Sequence, residues 1–285
     1  MPPPDTPPVF HEWSMSDGYT LRGRIWPASS SKADRAILYL HGIQSHGGWF
    51  EWSAARLAES GRAVILPDRR GSGMNAEARG DVPSWSRWLS DLDDIASWTS
   101  HEFQVSRFDV VGISWGGKPA LAWGMRRPEL VERVLLIAPG IFPAVDVGIR
   151  ARFQIVRSLL TDPGRKFPIP LSEPALFTDN PTARKFISED PLKLTEATAR
   201  FFWHSRELDR ILARKKPSEC RATLTLALAE HDKIIRNSLT HKWINKISAG
   251  AAVVHELAGA AHTLEFEEAI APYKSLLCDW SMAGR

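Results

Sequence analysis

VVGISWGGKP, residues 110–119, decides how this chain is read. A β-branched run delivers the chain to Gly112, one serine stands between Gly112 and Gly116, and a helix-forming segment follows. A strand that becomes a helix in one sharp step leaves Ser114 in a strained backbone conformation with its hydroxyl exposed. A Cβ at either flanking glycine would crowd the neighbouring strand or helix. Ser114 is therefore a candidate nucleophile; a small residue in a tight turn is the plainer reading of the same letters.

Working outward, short runs rich in Val, Ile and Leu recur at 36–42 (AILYLHG), 63–68 (AVILPD), 108–114 (FDVVGIS), 133–139 (RVLLIAP), 222–230 (ATLTLALAE) and 251–257 (AAVVHEL). They lack strict alternation, as strands buried on both faces of a parallel sheet do. Mixed polar and apolar stretches at 49–60, 84–101, 115–127, 237–248 and 264–282 read as helices covering that sheet. Upstream, FHEWSMSDGYTLRGRIW (10–26) alternates and turns at Asp17-Gly18, the pattern of an antiparallel hairpin. The rhythm breaks once, between Pro139 and Ala222, where no strand stands out and prolines and aromatics accumulate. So long an insertion is expected to be a helical subdomain. The expected architecture is α/β: a mostly parallel central sheet flanked by helices. Residues 1–140 and 222–285 form its core domain, and residues 141–221 a helical cap inserted after the sixth strand.

Composition narrows the function classes. Thirty-six Lys and Arg against 33 Asp and Glu leave a net charge of +3, and the charges are scattered. Neither a nucleic-acid surface nor a polybasic membrane anchor is expected, and Arg214-Lys215-Lys216 reads as a solvated helix end. Cys220 and Cys278 are too few for a disulfide framework and lack metal-ligand spacing, so they read as buried thiols. MPPPDTPP has no basic or apolar signal region and reads as a short flexible arm. No apolar run approaches a membrane span, and the expected compartment is the cytoplasm.

A serine hydroxyl attacks only when a base takes its proton and an acid orients that base. Of nine histidines, His262 lies in a small-residue loop (AGAAHTLEFEE) between the last expected strand and the final helix, where it could swing over the sheet's carboxyl edge. His255 falls in a strand and His241 in a helix, and both read as structural. For the acid, LAEHDKII offers Glu230 at a strand's last position and Asp232 just past it. Asp232 is the better placed, its plainer reading being a turn cap. Acyl transfer also needs backbone N–H donors for the developing oxyanion. Trp115 would supply one and Ile43, in His41-Gly42-Ile43-Gln44, the other; His41 would shape this loop without transferring a proton.

With these residues placed, the chain resembles the α/β-hydrolase superfamily, and within it the monoacylglycerol lipase and lysophospholipase-like serine hydrolases. The resemblance rests on His41, Gly42, His46 and Phe50, on the D-x-R-G-x-G residues Asp68, Arg70, Gly71 and Gly73, on GISWGG, on LAEHDKII and on GAAHTLEFE. The chain order Ser114, Asp232, His262 is that superfamily's order. It covers about residues 10–140 and 220–283. Trp115 departs from it, standing where a smaller residue is common, as do Ala229 and Asn75.

The resemblance implies a carboxylic-ester hydrolase working through an acyl-enzyme on Ser114, without metal or other cofactor. Amides, lactones, carbon–carbon bonds and acyl transfer share the apparatus, and a ligand-binding receptor of low turnover stands as the non-enzymatic alternative. Serine at 114 argues against the branches that use aspartate there. A cap with so many aromatics suits a small apolar acyl ester, and Gln44, Phe142, Phe202 and Trp203 are the candidate substrate contacts. Stable membrane insertion is not expected.

Overall fold

The computed structural model describes residues 6–29 and 34–283, so most of the proline-rich arm lies outside the described residues. Its strands are β1 (Val9–Ser14), β2 (Thr20–Trp26), β3 (Arg35–Leu40), β4 (Val64–Pro67), β5 (Arg107–Ile113), β6 (Val131–Ile137), β7 (Lys166–Pro168), β8 (Glu196–Thr198), β9 (Thr223–Ala229) and β10 (Val253–Leu257). Eight form one sheet in the order β1-β2-β4-β3-β5-β6-β9-β10. The expected hairpin, β1 with β2, is antiparallel, as is β2 with β4, and every pairing from β4 to β10 is parallel. β3, β4 and the body of β5 are buried residue after residue, which is why those runs carry no alternation.

The helices are α1 (Glu51–Ala58), α2 (Trp85–Phe103), α3 (Gly117–Arg126), α4 (Ile149–Thr161), α5 (Pro181–Glu189), α6 (Ala199–Ala213), α7 (Asn237–Ile247) and α8 (Ala271–Met282). Side chains start several of them: Ser84 accepts the Arg87 N–H at α2, Asn180 the Thr182 and Ala183 N–H groups at α5, and Thr198 the Phe201 N–H at α6. The helix expected over 264–282 divides into a 3-10 turn at Leu264–Phe266 and α8. Pro272 is the reason, since a residue without an N–H belongs in a helix's first turn and not in its interior.

Between β6 and β9 the chain forms α4, α5 and α6, together with a small antiparallel pair, β7 and β8, that the sequence reading did not anticipate. Each strand is three residues long and β7 ends on Pro168, too short to carry a periodic pattern. Two carboxylates tie this segment to the sheet's carboxyl edge. Asp190 accepts from His46 Nε2 (3.1 Å) and Trp49 Nε1 (2.6 Å), and Asp81 accepts from Thr198 Oγ1 (2.6 Å) and Arg200 Nε (3.0 Å). At the sheet's opposite edge the fully buried Asp109 of β5 takes Arg62 (3.0 Å) and Arg133 (3.1 Å). Cys220 and Cys278 are half-buried, not buried: Cys220 ends a 3-10 turn just before β9, and Cys278 lies on α8 between its buried and exposed faces. No helix among the described residues is long and apolar enough to cross a membrane.

One buried acid has a measurable consequence. Glu265 is enclosed beside Tyr39 and Ser53, accepts the Ser53 N–H at 3.0 Å, and is pushed by burial up to about 8. The unfolded chain loses that proton near 4.5, so between these values the folded chain holds a proton that the unfolded chain has released. Stability then falls as pH rises from about 4.5 to about 8, by at most about 1.4 kcal/mol per pH unit from this group, and levels off above. Calorimetry at pH 5 and pH 8.5 is expected to give a smaller drop in Tm for Glu265→Gln than for the unaltered chain; an equal drop would assign the slope to other groups.

Candidate active site

β3 lies between β4 and β5, so the connections leaving the carboxyl ends of β3 and β5 diverge and open a crevice, the place where open α/β sheets bind ligands. Ser114 follows directly on β5 and adopts φ +51°, a conformation in which a side chain with a Cβ is strained. The neighbouring glycines make that geometry possible. A Cβ at Gly116 would stand 2.2 Å from the Leu40 carbonyl oxygen and 2.6 Å from that of His41; one at Gly112 would meet the Ala120 Cβ at 2.7 Å. The elbow is thus pressed against the end of β3.

The structure brings Ser114, His262 and Asp232 into one hydrogen-bonded chain. His262 Nε2 lies 3.0 Å from Ser114 Oγ, and His262 Nδ1 lies 2.7 Å from Asp232 Oδ2. A carboxylate only accepts, so Nδ1 carries the proton and Nε2 presents its lone pair to the serine hydroxyl. The imidazole is 2% exposed and the aspartate side chain fully enclosed. Asp232 is held by its backbone surroundings, its Oδ1 accepting the N–H groups of Ile234 (2.8 Å) and Ile235 (3.0 Å). Glu230 turns elsewhere and accepts the Gly259 N–H at 2.7 Å. His41 donates from Nδ1 to the Gly42 carbonyl (2.8 Å) and accepts the Arg69 N–H at Nε2 (2.8 Å). Burial holds its pKa well below the usual imidazole value, and both ring nitrogens are engaged by backbone groups, those of Gly42 and Arg69.

A cavity of about 360 Å³ opens beside Ser114. Ile43 and Trp115 border it, and their N–H groups belong to the two loops that meet at the serine. Trp115 is enclosed: its indole N–H donates to Ser205 Oγ at 2.9 Å, and its ring lies edge-on to Trp88 and nearly parallel to Phe201. The departure at 115 therefore walls the cavity and pins α6 to the elbow.

Of the candidate substrate contacts, Phe202 and Trp203 line this cavity. Gln44 does not; it is buried in a small adjoining space with Ser114, His262 and Phe177. Phe142 does not line it either: its ring packs against Trp243 in a neighbouring groove that shares Pro143, Asp146 and Asp209 with the cavity. The cause is local: the chain after β6 pairs with 234–236, Pro143 bridging Ile235, so Pro143 faces the cavity and its neighbour faces away. Among the other aromatics of the insertion, Phe167, Phe177 and Phe201 are buried, whereas Phe153 on α4 is 73% exposed and serves neither core nor cavity. The sequence reading missed the aliphatic lining from Ile155, Ile169, Leu171, Ile234 and Ile235. The signal for two of them was present, since Ile234 and Ile235 end the same LAEHDKII that supplies Asp232.

Comparison with known proteins agrees with this architecture. The chain is 24% identical over 251 residues to phospholipase YtpA of Bacillus subtilis, covering 84% of this chain and 92% of that protein. A soluble variant of monoglyceride lipase from Saccharomyces cerevisiae, solved with a substrate analogue, superposes with a TM-score of 0.84 at 15% identity over 99% of this chain and 98% of the other. The monoacylglycerol lipase of Paleococcus ferrophilus gives 0.75 at 18% identity over 98% and 99%. The model of the serine aminopeptidase S33 family matches residues 31–269. The chain is accordingly a member of that family of α/β-hydrolases.

Proposed function

We propose that this protein hydrolyses small carboxylic esters with an apolar acyl group, through an acyl-enzyme on Ser114. The observation that carries the reading is the chain Ser114–His262–Asp232 standing at the wall of a largely apolar cavity. In this reading His262 Nε2 takes the proton of Ser114 as the hydroxyl attacks the acyl carbonyl, then returns it to the leaving alcohol, and Asp232 balances the imidazolium. The N–H groups of Ile43 and Trp115 receive the oxyanion. Water, activated by the same histidine, releases the acid. Residues 141–221 act as a cap over a core of 1–140 and 222–285, closing the acyl side with Phe202, Trp203 and the aliphatic residues above. The names of the relatives, a phospholipase and monoacylglycerol lipases, support an ester substrate. The two free cysteines suit a reducing compartment such as the cytoplasm.

Initial rates on p-nitrophenyl esters from acetate to long acyl chains test this reading. Ser114→Ala is expected to lose at least about 10³-fold in kcat; full activity in that variant would end the proposal. Asp232→Asn, which leaves the imidazole with the wrong tautomer, is expected to lower kcat by about 10⁴-fold with little change in KM. Phe202→Ala enlarges the cavity, so the chain-length optimum is expected to move toward longer acyl groups; an unchanged optimum would place the acyl chain elsewhere.

A further inference from the structure

We propose that Arg69 is the positioning residue of the oxyanion hole, holding both of its donors through one half-buried cation. The inference rests on the reading of Ser114 as nucleophile. Arg69 Nη1 donates to the Gly42 carbonyl at 3.0 Å and Nη2 to the Ile43 carbonyl at 2.8 Å. The Gly42 carbonyl and the Ile43 N–H are two ends of one planar peptide unit. A cation on the oxygen therefore fixes the plane of that unit and draws electron density from its N–H, making it a stronger donor.

Arg69 acts on the same peptide a second time. Its own backbone N–H occupies His41 Nε2, which obliges Nδ1 to carry the proton it donates to the Gly42 oxygen. On its other side the guanidinium lies over the indole of Trp115, 4.6 Å from the ring centroid, with Phe201 at 5.4 Å. Trp115 carries the second donor, so one side chain touches both halves of the hole.

The surroundings distinguish this role from packing alone. An arginine buried for structure is saturated and ion-paired, as Arg70 is with Asp91 and Asp17. Arg69 Nε is buried without a partner, and among the described residues no carboxylate pairs with this guanidinium. The adjacent carboxylate of Asp68 is taken by the N–H groups of Gly47 (2.6 Å) and Met74 (2.8 Å) and by Arg24. Burial pushes Arg69 down to about 9, the neighbouring Asp68 carboxylate opposing that shift and Arg79 adding to it, so it remains charged at neutral pH. Arg69 borders the space behind this loop with His41 and Trp115, not the cavity at Ser114, so its charge acts on the developing oxyanion through the Gly42–Ile43 peptide.

The test compares Arg69→Met and Arg69→Lys with the unaltered protein on one p-nitrophenyl ester. It adds the affinity for an alkylboronic acid, which forms a tetrahedral adduct on serine, and for an alkyl ether that mimics the bound ester. Arg69→Met is expected to lower kcat about 10- to 100-fold, less than outright removal of an oxyanion donor, with KM changed by less than about threefold. Boronic acid affinity should fall by the same factor as kcat and ether affinity should stay. Arg69→Lys, which keeps the charge but reaches one carbonyl, should recover part of both. A raised KM at unchanged kcat, or a kcat loss with boronic acid affinity intact, would overturn the proposal. Should Arg69→Met not fold, the parallel loss of kcat and boronic acid affinity is read from Arg69→Lys. Full kcat in Arg69→Met while Ser114→Ala is inactive sinks this inference alone; an active Ser114→Ala sinks the reading beneath it.

Discussion

A strand that must become a helix at a single residue is the constraint on which the rest of this structure depends. β5 reaches Ser114 with all but its first residue buried, and α3 begins three residues later, so the turn between them takes place at φ +51° with no room for error on either side. The carbonyls of Leu40 and His41 stand where a side chain at Gly116 would be. That contact brings the end of β3 against the start of α3, and with it the loop bearing Ile43 alongside the serine. Neither loop could be placed so closely if position 116 carried even a methyl group.

The other side chains of the site come from the far half of the sheet. β9 and β10 are parallel neighbours, so the loops that follow them leave from the same edge as the loop after β5. Asp232 is oriented by two backbone N–H groups and His262 by Asp232, a sequence of restraints in which each group fixes the next. Hydrogen bonds join the insertion to this edge at three places: Asp190 takes the indole N–H of Trp49, Asp81 takes the Thr198 hydroxyl, and the Trp115 indole donates to Ser205.

Much of this was legible in the letters, for reasons that are physical. Strands buried on both faces announce themselves as unbroken aliphatic runs, and Ser114 and Asp232 follow two of them, β5 and β9, while His262 follows β10, a largely exposed edge strand; parallel pairing brings the three loops to one edge. The insertion was less legible because its helices, α6 among them with Phe201, Ser205, Leu208 and Leu212 buried at helical spacing, are joined by short aperiodic segments that the letters do not place. β7 and β8 are three residues each, and whether Phe142 faced the cavity turned on a single bridge between Pro143 and Ile235 that pairs residues far apart in the chain. Arg69 also escaped notice, since its importance lies in which carbonyls it reaches and not in any motif around it.

Trp115 ties the elbow to the insertion in a way that bears on how such a chain can change over time. Its indole fills the space between Trp88 and Phe201 and is hydrogen-bonded to Ser205, so residues on α2, α3's entry turn and α6 share one packed cluster. Side chains in mutual contact respond to substitution non-additively. A smaller residue at 115 would leave a void beside Phe201 and strand the Ser205 hydroxyl, so it becomes tolerable only after compensating changes at those positions. The pocket wall is therefore inherited as a block, and new substrate preferences in descendants of this chain would arise sooner from the aliphatic lining, which lies outside that aromatic cluster, than from the tryptophan.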